Sequence, residues 1–400
     1  MTTADTKSTG AELALREFVK LASQPPAPGA GIPEDASPLL KNLWFSWNRQ
    51  RIGFQWLLQQ RCKKLRPRTE FLLEWAMTEC YLLTGLPQHA CVDLAVEYAK
   101  SHGGKEEAGF VNAVLRKLLR EAPDATALSA LLKDAPIAVQ CQLPQALYER
   151  WKKSHGAQWT RELAELLQAP ATVTARKRGS LTALPAPLNF EDAQKFLQES
   201  PAEFNPQEFY LQDASTLLAP ALLNPMPGET IADLCAAPGG KSVAIAERLQ
   251  NQGRLIATDS AEGRLPRLRE NLAGCAIAEI GVQDAAHPTL PKESLDGVLL
   301  DVPCSNTGVI RRRPDVRRNF SIQHLQKLME IQQEILEGTA PLVKHGGRLV
   351  YSTCSIEDDE NITQVKAFLQ KHPEFTLEDA QQLYPTSTHD GAFAARLRRN

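Results

Sequence analysis

The sequence predicts a multidomain chain, an all-α helical bundle followed by an α/β domain built on a largely parallel sheet. Three observations carry this. The 400 residues exceed one average domain. From Leu39 to about Trp159 apolar residues return with the helical period, and beyond about Gln207 short aliphatic runs alternate with amphipathic stretches. The expected divisions are a flexible segment over 1–38, a helical domain over 39–160, a linker or small subdomain over 161–206, and the α/β domain over 207–400.

Taken in order, the first segment holds a short helix and then "SQPPAPGAG" (Ser23–Gly31), a Pro/Gly/Ala spacer. In the bundle, "EEAGFVNAVLRKLLRE" sets Phe110, Val114 and Leu118 in one row and Val111, Leu115 and Leu119 in the next. "TEFLLEWAMTECYLLTG" stops at Gly85, a residue suited to ending a helix. "APATVTARKRGSLTALPAPLNF" (Ala169–Phe190) breaks the pattern with Pro, Gly and β-branched residues. Then "IADLCA", "RLIATD", "AEIGVQD", "LDGVLLD" and "GGRLVYSTCS" read as strands. "KSVAIAERLQ", "EGRLPRLRENLA" and "SIQHLQKLMEIQQEILEGTAPLV" read as helices between them. Such alternation buries a parallel sheet on both faces.

A net charge of −2 excludes a globally basic nucleic-acid binder and leaves local patches open. "MTTADTKSTG" has no secretory pattern, and no apolar run reaches transmembrane length. The 8 cysteines form no CxxC and no zinc spacing, so a reduced, cytoplasmic, metal-free protein off the membrane is expected.

The loop "DLCAAPGGKS" joins a strand to a helix and admits three readings. A phosphate-binding P-loop fails, because Cys235 stands where its first glycine belongs. A dinucleotide loop is weak, because only the adjacent Gly239 and Gly240 are available. An S-adenosylmethionine loop fits: two glycines admit the cofactor, Asp259 ending the second strand can accept from ribose hydroxyls, and Asp284 ending the third from the adenine amine. Helix N-capping is the alternative role for both acids.

Asp301 and Cys304 follow one strand and Cys354 follows another, so a parallel sheet opens all three on the glycine-loop edge. Methylation of a pyrimidine at carbon 5 needs such a set. A thiolate adding to carbon 6 makes carbon 5 nucleophilic, a carboxyl at ring nitrogen 3 stabilises the adduct, and a base removes the carbon 5 proton. Cys62, Cys80, Cys91, Cys141 and Cys275 read instead as small core hydrophobes.

"DLCAAPGGKS", "DVPCSNTGVIRRRPDVR" and "YSTCSI" resemble the signature motifs of RNA cytosine-5 methyltransferases. "PQHACVDLAVEYAKSHGGKEEAGFVNAVLRKLLR" resembles the NusB-like RNA-binding domain. Together they are similar to the ribosomal RNA small-subunit methyltransferase B family from about Leu39 onward. The resemblance implies a NusB-like bundle and a Rossmann-like class I methyltransferase domain, S-adenosylmethionine as cofactor, and a cytosine of small-subunit (16S) ribosomal RNA as substrate. It implies that Cys354 is the nucleophile, that Cys304 helps release the product, and that Asp301 faces the base. Cys235, Ala236, Ala237, Pro238, Gly239, Gly240, Lys241, Asp259, Asp284 and Asp301 then line the cofactor site. "HDGAFAARLRR" is similar to the family's antiparallel closing strand. Asn306 departs from the family's usual glycine, and "VTARKRG" from its usual linker. A monomer is expected. Transfer RNA is the alternative substrate, and a non-catalytic ribosome-assembly factor the alternative class, which both thiols argue against; a nicotinamide dehydrogenase lacks its glycine pattern. Arg311, Arg312, Arg313, Arg317 and Arg318 beside the active loop are expected to hold RNA phosphates, with Arg61–Arg68 and Arg176–Arg178 as further basic surface.

Overall fold

The computed structural model describes residues 10–24, 32–33, 35–83, 85–183, 190–195, 197–200 and 203–400. Most of the Pro/Gly spacer lies outside them. The chain forms two compact units, one comprising the residues up to Gln168 together with Arg313–Ser321, the other Ala169–Arg312 and Ile322–Asn400.

The first unit is helical: α1 Gly10–Ala22, α2 Pro38–Gln59, α3 Pro67–Tyr81, α4 Gln88–Glu121, α5 Ala125–Leu131, α6 Ile137–Gln140, α7 Gln145–His155 and α8 Ala157–Leu166. Helix α1 corrects the expectation of a flexible 1–38 segment. Leu15, Phe18, Val19 and Ala22 form an i, i+3, i+4, i+7 stripe, all four are buried, and the Phe18 ring meets Trp47 edge-on at 5.0 Å. Helix α4 is broken at Gly104, whose φ of 84° is left-handed. Beyond the break Val111, Leu115 and Leu118 are buried, whereas Phe110 is exposed, so the core-facing stripe takes one residue from the first expected row and two from the second.

The second unit begins with the stretch expected to be a linker. Strands β1 Thr174–Lys177, β2 Leu197–Glu199 and β3 Phe209–Leu211, with α9 Phe190–Gln194, make a small antiparallel sheet of order β2-β1-β3. Arg176, expected on a basic surface, is fully buried; it donates to Gln212 and pairs with Glu247 at 2.7 Å. A guanidinium removed from water requires such partners.

The remainder runs α10 Leu218–Leu223, β4 Thr230–Asp233, α11 Gly240–Leu249, β5 Arg254–Asp259, α12 Leu265–Asn271, β6 Ala278–Val282, β7 Leu295–Asp301, α13 Val316–Asn319, α14 Ile322–Thr339, β8 Val343–Thr353, α15 Ile362–Lys371, β9 Phe375–Leu383 and β10 Ala392–Arg399. Helix α13 packs with the first unit. The sheet order is β6-β5-β4-β7-β8-β10-β9, parallel from β6 to β8, with β10 antiparallel to both its neighbours. Successive strand residues face opposite sides. Thus Ile231, Leu299 and Val350 join one core with α10 and α11, while Ala232, Leu300 and Tyr351 join another with α14 and α15. No helix among the described residues is long and apolar enough to cross a membrane.

Candidate active site

The strand order reverses at β4: the chain moves to β5 and β6 on one side, then to β7 and β8 on the other. The crevice beyond the carboxyl ends of strands at such a switch is where open α/β sheets take ligands. The glycine loop leaves β4 at this point. Gly239 caps α11 with φ 113°, a conformation that favours glycine, and a side chain there would press on Leu268. A Cβ on Gly240 would lie 3.2 Å from the Tyr210 hydroxyl.

Asp259 ends β5 and is buried. It accepts from the Ala237 N–H at 3.2 Å and the Ala261 N–H at 3.0 Å, and pairs with Arg264 at 3.2 Å. Asp284, just past β6, is exposed. Its carboxylate accepts from the Ala286 N–H at 3.0 Å and meets His287 at 3.1 Å, and those contacts hold its carboxyl below the usual range, the His287 hydrogen bond first. Asp284 thus has the geometry of a turn cap. The buried Asp233 Oδ1, Thr258 Oγ1 and Gln283 Nε2 sit at the ends of three adjacent strands without a hydrogen-bond partner. This row of polar atoms fits a polar cofactor in the crevice. Burial pushes the Asp233 carboxyl up to about 7, and burial likewise pushes the Cys235 thiol up.

On the other side of the switch, Asp301 ends β7 in register with Ser352 of β8. Cys304 lies three residues beyond one and Cys354 two beyond the other, which brings their sulfurs to 3.2 Å. Lys241 Nζ donates to Asp301 Oδ2 at 2.6 Å, and Ser352 Oγ to Asp301 Oδ1 at 3.4 Å. Burial alone would pull the Lys241 ammonium down, but Asp301 and Cys354 together hold it above its ordinary value. The hydrogen bond with Cys354, and then burial, push the Cys304 thiol well up, so Cys304 keeps its proton.

Three features beyond the expected residues hold this arrangement. Gly308 lets three segments meet: its N–H donates to the Cys354 carbonyl at 3.0 Å, its carbonyl accepts from the Gly391 N–H, and a Cβ there would lie 2.7 Å from the Cys354 oxygen and 2.8 Å from the Gly391 oxygen. Glu360 is fully buried and accepts from Ser305 N–H at 2.8 Å, Ser305 Oγ, Ser355 Oγ and Gln332 Nε2 at 3.0 Å. It therefore ties the residues that follow both cysteines, and its burial raises its carboxyl. In sequence it closes the acidic run "EDDE", which reads as solvated charge. Asn306 has φ 60°, in the left-handed region that asparagine tolerates.

The arginines expected to hold phosphates all have partners within the protein. Arg311 is buried and pairs with Asp390 at 3.2 Å; Arg312 pairs with Asp390 at 2.5 Å and Asp213 at 2.7 Å. Arg313 pairs with Asp315 at 3.0 Å; within the first unit Arg317 is buried and donates to the Leu167 carbonyl at 3.0 Å. Arg318 donates to the Ala22 carbonyl at 2.9 Å and lies 5.8 Å from the Trp47 ring. The buried Arg311 and Arg317 therefore hold the fold together, whereas Arg312, Arg313 and Arg318 stay partly exposed beside their partners.

Comparison with known proteins follows the same division. A family model described as 16S rRNA methyltransferase RsmB/F matches residues 220–398, and the NusB family model matches residues 33–120. The probable ribosomal RNA small subunit methyltransferase B of Bacillus subtilis (strain 168) is 33% identical over 362 residues, 84% of this chain and 80% of the relative. The ribosomal RNA small subunit methyltransferase B of Yersinia pseudotuberculosis serotype O:1b (strain IP 31758) is 32% identical over 394 residues, 90% of each. In fold, the crystal structure of PH0851 covers 92% of both chains with a TM-score of 0.72 at 24% identity. NSun6 from Pyrococcus horikoshii, solved with SFG, covers 64% of this chain and 98% of that one with a TM-score of 0.55 at 20% identity. With a curated relative one-third identical across most of its length, the chain belongs to the RsmB/F family of 16S rRNA methyltransferases.

Proposed function

We propose that this protein methylates carbon 5 of a cytosine in 16S ribosomal RNA through a covalent adduct between Cys354 and carbon 6, as a cytoplasmic monomer. One observation carries the reading: two sulfurs 3.2 Å apart stand beside the Lys241–Asp301 pair at the switch point of the sheet. S-adenosylmethionine supplies an electrophilic methyl group, and the glycine loop of Cys235–Lys241 with Asp259 would hold it; the exposed Asp284 would reach the adenine end.

The residues divide the remaining work. Cys354 adds to carbon 6, which breaks the aromaticity of the ring and moves electron density to carbon 5. Asp301, hydrogen-bonded to the Lys241 ammonium, shares a proton that stabilises charge developing at ring nitrogen 3. After methylation Cys304 serves the release step: it takes the carbon 5 proton, the electron pair re-forms the ring double bond as the bond from Cys354 to carbon 6 breaks, and the proton Cys304 held passes to the departing Cys354 sulfur 3.2 Å away. The test is bisulfite sequencing of total RNA from cells with and without the protein. A 5-methylcytosine lost from 16S RNA supports the reading, loss from transfer RNA alone redirects it to that substrate, and no lost site overturns it.

A further inference from the structure

We propose that Asn306 is a positioning residue for Cys354, whose side-chain amide holds the resting sulfur in its protonated form through a closed ring of hydrogen bonds. The proposal rests on the reading of Cys354 as the attacking sulfur. Asn306 Nδ2 donates to the Cys304 carbonyl at 2.8 Å. A carbonyl accepts only from a donor, so this bond fixes the amide and turns its oxygen to the other side. That oxygen lies 3.1 Å from Cys354 Sγ. It has no proton to give, so the Cys354 S–H donates to it. The proton between the two sulfurs, 3.2 Å apart, is then the one Cys304 keeps. The ring therefore runs from the Cys304 thiol to Cys354, from the Cys354 thiol to Asn306, and from the Asn306 amide back to the Cys304 backbone.

Its members oppose one another. The Cys304 thiol donates toward Cys354 and the charge of the Lys241 ammonium reaches that sulfur, while the charge of Glu360 is felt by Cys304. The Asn306 oxygen accepts from the thiol and would repel a thiolate, so at this sulfur it acts against the Cys304 thiol and the Lys241 ammonium. The usual glycine of this turn would leave the backbone at ease with φ 60° and supply no such oxygen. Asn306 thus makes Cys354 a guarded nucleophile that awaits its base.

The experiment is alkylation of the full-length protein by iodoacetamide at pH 7, without RNA or cofactor, with modification at Cys354 followed by peptide mass spectrometry and the half-exposed Cys275 as internal reference. Alkylation follows the thiolate fraction, so Asn306→Gly is expected to raise the Cys354 rate by about threefold or more. Asn306→Asp, close in size but ionised, is expected to lower it by a similar factor. A change of volume alone would not move the two variants in opposite directions. An Asn306→Gly rate equal to or below wild type overturns the proposal; should that variant fail to fold, Asn306→Asp decides, slower supporting and unchanged or faster overturning. Because neither RNA nor methyl donor is present, the result is independent of whether the methylation reading survives the sequencing test.

Discussion

Glu360 provides the most discriminating test of how the site is held, because its hydrogen bonds differ in replaceability. Removing the side chain in Glu360→Ala leaves Ser305 Oγ with Ser355 Oγ at 3.2 Å, and leaves Gln332 Nε2 with the Pro303 carbonyl at 2.9 Å. The buried Ser305 N–H, now 2.8 Å from Glu360 Oε1, has no such second acceptor among the described residues. One orphaned buried donor costs about 1–3 kcal/mol, and the unfilled space adds about 1 kcal/mol more. Glu360→Gln keeps an oxygen for that N–H and for Gln332, and its amide nitrogen donates to a serine hydroxyl that can turn to accept, so it should cost about 1 kcal/mol. Urea denaturation followed by circular dichroism measures the difference. All 6 tryptophans lie in the first unit, so fluorescence separates its transition from that of the sheet unit. Because Ser305 and Ser355 adjoin the two thiols, methyl transfer should fall on the order of 10²-fold in the alanine variant and within about tenfold in the glutamine variant. Equal damage from both substitutions, or an alanine variant with native stability and turnover, would refute the account of Glu360 as an acceptor that locates the two loops.

The proposed chemistry separates the thiols: Cys354→Ala should abolish methyl transfer with cofactor binding retained, whereas Cys304→Ala should accumulate a denaturant-resistant protein–RNA adduct, visible as a shifted band on a denaturing gel. Substantial turnover in the first, or no adduct in the second, removes the corresponding assignment. Gly308→Ala should lower stability by about 1–3 kcal/mol and reduce turnover, since both crowded oxygens are backbone and neither can swing aside; an unchanged melting temperature speaks against this close approach. In the first unit, burial pushes the Glu74 carboxyl from 4.5 up to about 8 despite the Arg51 charge, so its contribution is fully present below about pH 4.5 and is lost as pH rises through about 8. At 1.36 kcal/mol per unit the loss is on the order of 3–5 kcal/mol; Glu74→Gln, which still accepts from Trp47 Nε1, should flatten that slope in fluorescence-detected unfolding, and an equal slope would disprove the assignment.

The parts legible in the sequence share a local cause. Strand, loop and helix around "DLCAAPGGKS" announce themselves by period and by glycine, and once the strands are parallel the meeting of Cys304 with Cys354 follows from topology. The closing antiparallel strand β10 was legible only through family resemblance. Strand β9 is mostly exposed and rich in polar residues, so no apolar alternation marked it. What charge partners with was harder still. Arg312 reaches Asp390 and Asp213 across 78 and 99 positions, and no pattern within an arginine cluster says whether its counter-charge is a phosphate or a distant carboxylate. Glu360 was hidden for the converse reason: an acid among acids reads as surface, and only the fold shows one of them facing inward.

Residues Arg313–Ser321 belong to the first unit although the chain on both sides of them belongs to the second. Cutting the polypeptide after Gln168 would therefore not yield two self-sufficient pieces. The amino-terminal fragment would lose the guanidinium that meets the Ala22 carbonyl and the Trp47 ring, while the carboxy-terminal fragment would carry an unmatched excursion immediately downstream of its reactive loop. Such interleaving makes recombination at that junction costly and favours inheritance of both halves as one piece.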